Sequence, residues 1–292
     1  MSVPAGGFYS VFIPAPDGLT LHARRIDPRR DGNRPPVVCL PGLTRTANDF
    51  DILAQALASA GHRVISLDYR GRGLSDYDPN PANYSWTVEL ADVIAVLRTI
   101  GVTRAIFVGT SRGGMLAMLL ASLQPATVAA VVLNDIGPVI EMDGLMRIKS
   151  YVGKLPQPAD YADAADILRQ AFGAHFPKLS DGDWQASARR AFKDDGGRLV
   201  PTYDVNLAET LDAISPDSPS PALWTQFDAL SGVPVMVIRG MLSDILSAET
   251  VAEMRARHPS LHVVEVPDEG HAPLLADPPT IARINAFVRT VA

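Results

Sequence analysis

The stretch Gly109-Thr110-Ser111-Arg112-Gly113-Gly114 sets glycines two residues before and two residues after a serine, and it joins the apolar run Ala105 to Val108 to a helical pattern beginning at Met115. A strand, a sharp turn and a helix in that order suit a nucleophile elbow. The turn strains the serine backbone and lifts its hydroxyl above the strand's carboxyl end. The helix N-terminus beneath it favours developing negative charge. A serine that merely capped the helix has no use for glycine on both sides.

A serine hydroxyl is a weak nucleophile near neutral pH and needs a base, which in turn needs an acid to orient it. Six histidines compete for the first role. His22 and His262 lie within strand-like runs, His62 and His258 at the ends of elements, and His175 in a long stretch without sheet rhythm. His271 stands apart, in the loop Asp268-Glu269-Gly270-His271-Ala272-Pro273 between the last strand-like run and the last helix. Loops at strand carboxyl ends are where α/β sheets carry their active groups. Asp244 follows the run Val233 to Ile238 and completes the order Ser111, Asp244, His271, so it is the expected orienting acid. Asp135, at the end of the run before it, is the alternative, with a structural role expected. The oxyanion of an acyl transfer needs two preorganised N–H donors. The backbone of Arg112 is one candidate, and Leu43 in the turn Leu40-Pro41-Gly42-Leu43-Thr44 is the other.

The elements that must hold these residues follow from hydrophobic periodicity. Phe8 to Ile13 and Leu19 to Ile26 flank Pro14-Ala15-Pro16-Asp17-Gly18 and predict an opening antiparallel hairpin. Val37 to Leu40, Val64 to Asp68, Ala105 to Val108 and Val128 to Leu133 are short continuous apolar runs. Helical patterns stand between them, one carrying Ile52, Leu53, Ala56 and Leu57, another running from Val88 to Ile100. Such alternation indicates a mostly parallel sheet covered on both faces. Past Asn134 the rhythm stops, and only helical patterns such as Tyr161 to Phe172 and Asp183 to Phe192 remain. It resumes with Val233 to Ile238, Glu249 to Arg257, Leu261 to Val266 and Pro278 to Val291. The expected organisation is an α/β core from residues 1–136 and 231–292, with eight strands, and a helical cap of residues 137–230 inserted after the sixth strand.

Composition limits the partners. The 292 residues are 47% hydrophobic and 20% charged, ordinary for a globular protein. With 32 acidic and 26 basic residues the formal net charge is −6, and the pairs Arg24-Arg25 and Arg29-Arg30 sit beside Asp27 and Asp31, so no nucleic-acid partner is expected. A single cysteine, Cys39, allows no intrachain disulfide and no cysteine–histidine metal spacing; it reads as buried strand filler, and neither a metal nor a cofactor is expected. The start, Met1 to Gly7, lacks a secretory pattern, and no apolar run reaches the length of a membrane span, so a soluble cytoplasmic protein is expected.

Taken together the motifs resemble the α/β-hydrolase fold superfamily in its cap-bearing group, which includes esterases, 3-oxoadipate enol-lactonases and C–C bond hydrolases. The likeness extends to Asp68-Tyr69-Arg70-Gly71-Arg72-Gly73-Leu74-Ser75, similar to the D-x-R-G-x-G-x-S loop of that group. There the loop is structural and braces the nucleophile turn, a role the resemblance implies for Asp68 and Arg70. The third glycine and immediate helix of a dinucleotide fingerprint are missing from it. Two departures stand out: Pro41-Gly42 replaces the usual His-Gly, and an arginine follows the nucleophile. Arg112 either clamps a substrate carboxylate or pairs with an internal acid such as Asp68, Asp135 or Glu141. Substrate contacts are expected from Trp86 and from Met142, Leu145, Met146, Ile148 and Tyr151 in the cap. The expected reaction is hydrolysis of a small carboxylic ester or lactone. A C–C hydrolase of a vinylogous diketone and a slow-turnover ligand receptor are the alternatives, while dehalogenases and epoxide hydrolases of this type carry an aspartate where Ser111 stands.

Overall fold

The computed structural model describes residues 7–29, 34–217 and 221–291. The expected leaderless start up to residue 6, and Arg30 and Asp31, lie outside these residues. Two strands open the chain, β1 (Phe8–Pro14) and β2 (Thr20–Ile26), paired antiparallel as the hairpin pattern predicts. They are followed by β3 (Val37–Leu40), α1 (Asp51–Ser59), β4 (Val64–Asp68), α2 (Trp86–Thr99), β5 (Ala105–Thr110), α3 (Arg112–Leu123) and β6 (Val128–Asn134). After an inserted stretch come β9 (Val235–Gly240), α8 (Ala248–Arg257), β10 (His262–Val266) and α9 (Pro278–Val288). The stretch itself holds α4 (Met142–Tyr151), α5 (Tyr161–Phe172), α6 (Asp181–Ala191), β7 (Phe192–Asp195), β8 (Arg198–Pro201) and α7 (Trp224–Asp228).

Eight strands form one sheet in the order β1-β2-β4-β3-β5-β6-β9-β10. All neighbours beyond the β2–β4 pair run parallel. Successive residues of its central strands face opposite sides. Val38, Leu40, Phe107 and Leu133 join a core packed by α2 and α3, whereas Val37, Cys39, Ile106 and Val132 join one packed by α1 and α9. This is the fully covered parallel sheet that continuous apolar runs imply. In α1 the buried stripe is Leu53, Ala54, Leu57 and Ala58, while Ile52 is exposed, one position off the expected face.

Cys39 is fully buried in β3, and burial pushes its thiol up to about 12. A thiol kept protonated and out of solvent is neither nucleophilic nor reachable. Ellman's reagent should therefore leave the native protein unmodified and titrate one thiol after denaturation; rapid labelling of the native protein would contradict this burial.

The inserted stretch departs from the helix-only expectation, because β7 and β8 pair as an antiparallel hairpin. Their turn uses Gly196 and Gly197, both at positive φ, and Lys193, Asp194 and Asp195 point to solvent. Strands this short and polar leave no apolar run to read, and Phe192, expected to end a helix, starts β7 instead. α5, α6 and the hairpin pack around a separate small core that includes Leu168, Phe176, Trp184 and Leu199. α7 belongs elsewhere: its Phe227 lies in the core packed by α3.

Candidate active site

Ser111 has φ 50° and ψ −115°, a backbone conformation that side chains other than glycine rarely hold. Its neighbours show why glycine must surround it. A Cβ on Gly109 would lie 2.4 Å from the Gly114 nitrogen, and one on Gly113 would lie 2.0 Å from the Leu40 carbonyl oxygen. The two glycines therefore let β5, the turn, α3 and β3 close on one another around the strained serine.

His271 Nε2 lies 2.8 Å from Ser111 Oγ, and His271 Nδ1 lies 2.8 Å from Asp135 Oδ2. A carboxylate only accepts, so Nδ1 carries the proton and Nε2 accepts from the serine hydroxyl. The expected partner of the imidazole is thus corrected from Asp244 to Asp135. Asp135 directly follows β6 at φ 54°, with its backbone N–H donating to the Ile238 carbonyl of β9. Its fully buried carboxylate also accepts from the Gly240 N–H at 2.8 Å and the Ser243 hydroxyl at 2.6 Å. With three donors converging on it, the buried charge is satisfied.

Asp244 is turned away from the imidazole and accepts a fork from Arg147 of α4, with Nε at 2.5 Å and Nη2 at 2.7 Å. Burial pushes the Asp244 carboxyl up, but the hydrogen bonds and charge of Arg147 outweigh it and hold the group below the usual carboxylate range. A Cβ on Gly144 would sit 2.3 Å from the Asp244 carbonyl oxygen, and Glu141 N–H donates to the Ile245 carbonyl. Asp244 therefore ties α4 to the loop after β9.

The turn before Leu43 comes close to the serine: a Cβ on Gly42 would lie 3.8 Å from Ser111 Cβ. The Leu43 carbonyl accepts from Arg72 Nε at 2.8 Å, which fixes the peptide of that turn. The Arg112 N–H is in the first turn of α3, where helix donors lack intrahelical acceptors. Leu43 and Ser111 border both of two cavities, and Arg112 borders one.

The first cavity, of about 120 Å³, holds Ser111 and His271 beneath Tyr151, Phe172, Phe176 and Trp184 of the inserted stretch. The second, of about 490 Å³, extends from Ser111 past Arg112 to Trp86, Met115, Ile140 and Leu145. Ile148 borders both. Trp86, Leu145, Ile148 and Tyr151 thus face the cavities as expected, but Met142 and Met146 line neither. Met142 packs on the core, and Met146, a third of a turn from Leu145, is turned outward and exposed.

The Arg112 guanidinium does not reach for Asp68, Asp135 or Glu141. Its Nε lies 2.5 Å from Glu89 Oε2, its Nη2 donates to the Tyr84 carbonyl at 2.8 Å, and it stacks 3.9 Å from the Trp86 ring centroid. Glu89, fully buried, also faces Arg72 Nη1 at 2.7 Å. Burial pushes the Glu89 carboxyl up, yet the charges of Arg112 and Arg72 prevail and keep it below its ordinary value. One carboxylate thus serves two guanidiniums behind the serine.

The loop after β4 braces the site less directly than the resemblance implied. Asp68 accepts from His22 Nδ1 at 2.7 Å and from the Ala47 N–H at 2.6 Å, and Arg70 forks onto Asp92 of α2 with contacts to Asp78 and Asp17. Neither reaches residues 109–114 in these hydrogen bonds. Arg72, an unassigned position of that loop, is the one that touches the Leu43 turn. Arg72, Glu89 and Ser243 are the site residues that sequence reasoning missed.

Comparison with known proteins gives the family of the fold. Residues 35–278 match the family described as alpha/beta hydrolase fold. The chain is 35% identical to a 3-hydroxybutyrate-oligomer hydrolase of Cupriavidus necator, over 97% of each chain. It is 26% identical to a 2-(acetamidomethylene)succinate hydrolase of Mesorhizobium japonicum, over 83% of this chain and 84% of that one. A crystal structure of an alpha/beta hydrolase from Novosphingobium aromaticivorans superposes with a TM-score of 0.91 at 41% identity, covering 97% of this chain and 99% of the other.

Proposed function

The chain belongs to the α/β-hydrolase fold family, and on that premise we propose that it hydrolyses small carboxylic esters or lactones through an acyl-enzyme on Ser111. The observation that carries this reading is the unbroken contact from Ser111 Oγ through His271 to Asp135, at 2.8 Å in each step. Ser111 Oγ attacks the carbonyl carbon while its proton passes to His271 Nε2. Asp135 holds the imidazole in the right tautomer and stabilises the imidazolium. The Leu43 and Arg112 backbone N–H groups receive the oxyanion. His271 returns the proton to the departing alcohol, takes one from water as the water attacks the acyl-enzyme, and passes it to Ser111 Oγ as the acyl–oxygen bond breaks and the acid leaves.

Residues 137–230 act as the cap, and the two cavities that meet at Ser111 give separate space to the acyl and alcohol parts. The relative named for 3-hydroxybutyrate oligomers spans nearly the whole chain, which makes short hydroxy-acid esters the first substrates to try. A fluorophosphonate should label one residue, Ser111, found by peptide mass spectrometry, and the label should stop steady turnover of p-nitrophenyl butyrate. Labelling elsewhere, or turnover that persists in the labelled protein, would refute the nucleophile. A burst without turnover would favour the receptor alternative.

A further inference from the structure

Arg112, the obvious cation beside the serine, is consumed by Glu89, but a second pair of cations flanks the same site. Arg45 comes from the Leu43 turn, where its N–H donates back to the Gly42 carbonyl, and Arg190 comes from α6 of the inserted stretch. Both line the cavity that holds Ser111 and His271, and both line a neighbouring cavity of about 260 Å³ that shares Gly42 and Thr110 with it. A Cβ on Gly42 would lie 3.5 Å from Arg45 Cγ and 3.8 Å from Ser111 Cβ, so the arginine stem and the serine both border the space beside one glycine.

These two guanidiniums share one carboxylate and hold it loosely. Asp49 lies 3.3 Å from Arg190 Nε and 3.8 Å from Arg45 Nε, single contacts with no fork. Arg190 also donates to Ser187 Oγ at 3.1 Å. The nearby Asp51 is engaged by Arg24 at 2.9 Å. Among the described residues no other carboxylate comes within ion-pair distance of Arg45 or Arg190. Burial first, and then the charge of Arg45, push the Arg190 guanidinium down against the opposing charges of Asp49, Asp51 and Asp183. The wall of the pocket therefore carries one positive charge more than it neutralises, with planar donors suited to a carboxylate.

We propose that Arg45 and Arg190 form a carboxylate-binding subsite that selects esters carrying a free carboxylate on the part lodged in the Ser111 cavity. The selectivity rests on the ester-hydrolase reading above, but binding can be measured apart from turnover. The test titrates Ser111→Ala protein with monomethyl glutarate and with dimethyl glutarate by calorimetry. The acidic probe should bind at least about tenfold tighter, as a charge-assisted contact allows. That preference should shrink in Ser111→Ala/Arg190→Met and vanish when Arg45→Met is added. Arg45→Met alone, on a core turn, covers the case in which the α6 variant fails to fold. Equal affinity for the two probes, or a preference that survives loss of both arginines, would overturn the subsite. Turnover of p-nitrophenyl butyrate by the wild type decides the other reading separately: turnover without acid preference removes only the subsite, and acid preference without turnover removes only the hydrolase.

Discussion

Asp135→Asn should lower kcat by about 10⁴-fold, whereas Asp244→Asn should leave it within a few-fold of the wild type. The two residues follow neighbouring strands, β6 and β9, but only Asp135 accepts from His271 Nδ1. An asparagine at 135 can turn its amide N–H toward the imidazole. Nδ1 then becomes the acceptor, and the proton moves to Nε2, where it can no longer take one from Ser111. The imidazolium of the transition state also loses its counter-charge. At 244 the same change weakens the fork from Arg147 and loosens α4, with no effect on the imidazole tautomer. Steady-state kinetics on one activated ester, with both variants, separates the two. A loss at 244 as large as that at 135 would return the role of orienting acid to Asp244.

Glu89→Gln should destabilise the fold by about 3–5 kcal/mol, because it leaves Arg72 and Arg112 buried without their shared counter-charge. Arg72 is fully buried and Arg112 nearly so, which leaves solvent little part in screening the exposed deficit. Urea unfolding of the two proteins gives the difference directly, and a loss below about 1 kcal/mol would mean the guanidiniums find other acceptors. The effect has a pH signature. The folded carboxyl titrates below its unfolded value, so its contribution is fully present above the ordinary glutamate range and disappears as pH falls through the folded value. The gap between wild type and Glu89→Gln should therefore narrow on acidification. Activity should fall as well, since Arg72 Nε holds the Leu43 carbonyl and Arg112 supplies the neighbouring backbone donor.

Much of this site could be read from residue order because local sterics write it into the chain. Glycines at 109 and 113 are demanded by contacts of 2.4 and 2.0 Å, so the serine they frame is conspicuous. His271 is identifiable by its loop, the last at the sheet's carboxyl edge. The acid was not, because two aspartates follow adjacent strands and nothing along the chain distinguishes them. What decides is the left-handed turn at Asp135, which hooks its N–H onto the Ile238 carbonyl and brings its carboxylate under the imidazole. Glu89 was hidden for a different reason: an acid in the first turn of α2 reads as a partner for the helix dipole. Only the packing of α2 against α3 reveals it as a buried hub. The β7–β8 hairpin escaped because a strand pair of exposed polar residues has no periodic signature.

The Gly270 N–H donates to the carbonyl of His175, in the turn that follows α5, and a Cβ on Gly270 would lie 2.8 Å from His175 Cβ. The residue next to the imidazole is thus stitched to the roof above it. A roof displaced from the sheet would have to break that bond and free the loop that carries His271. A linkage of this kind favours guests small enough to slip in without lifting the roof.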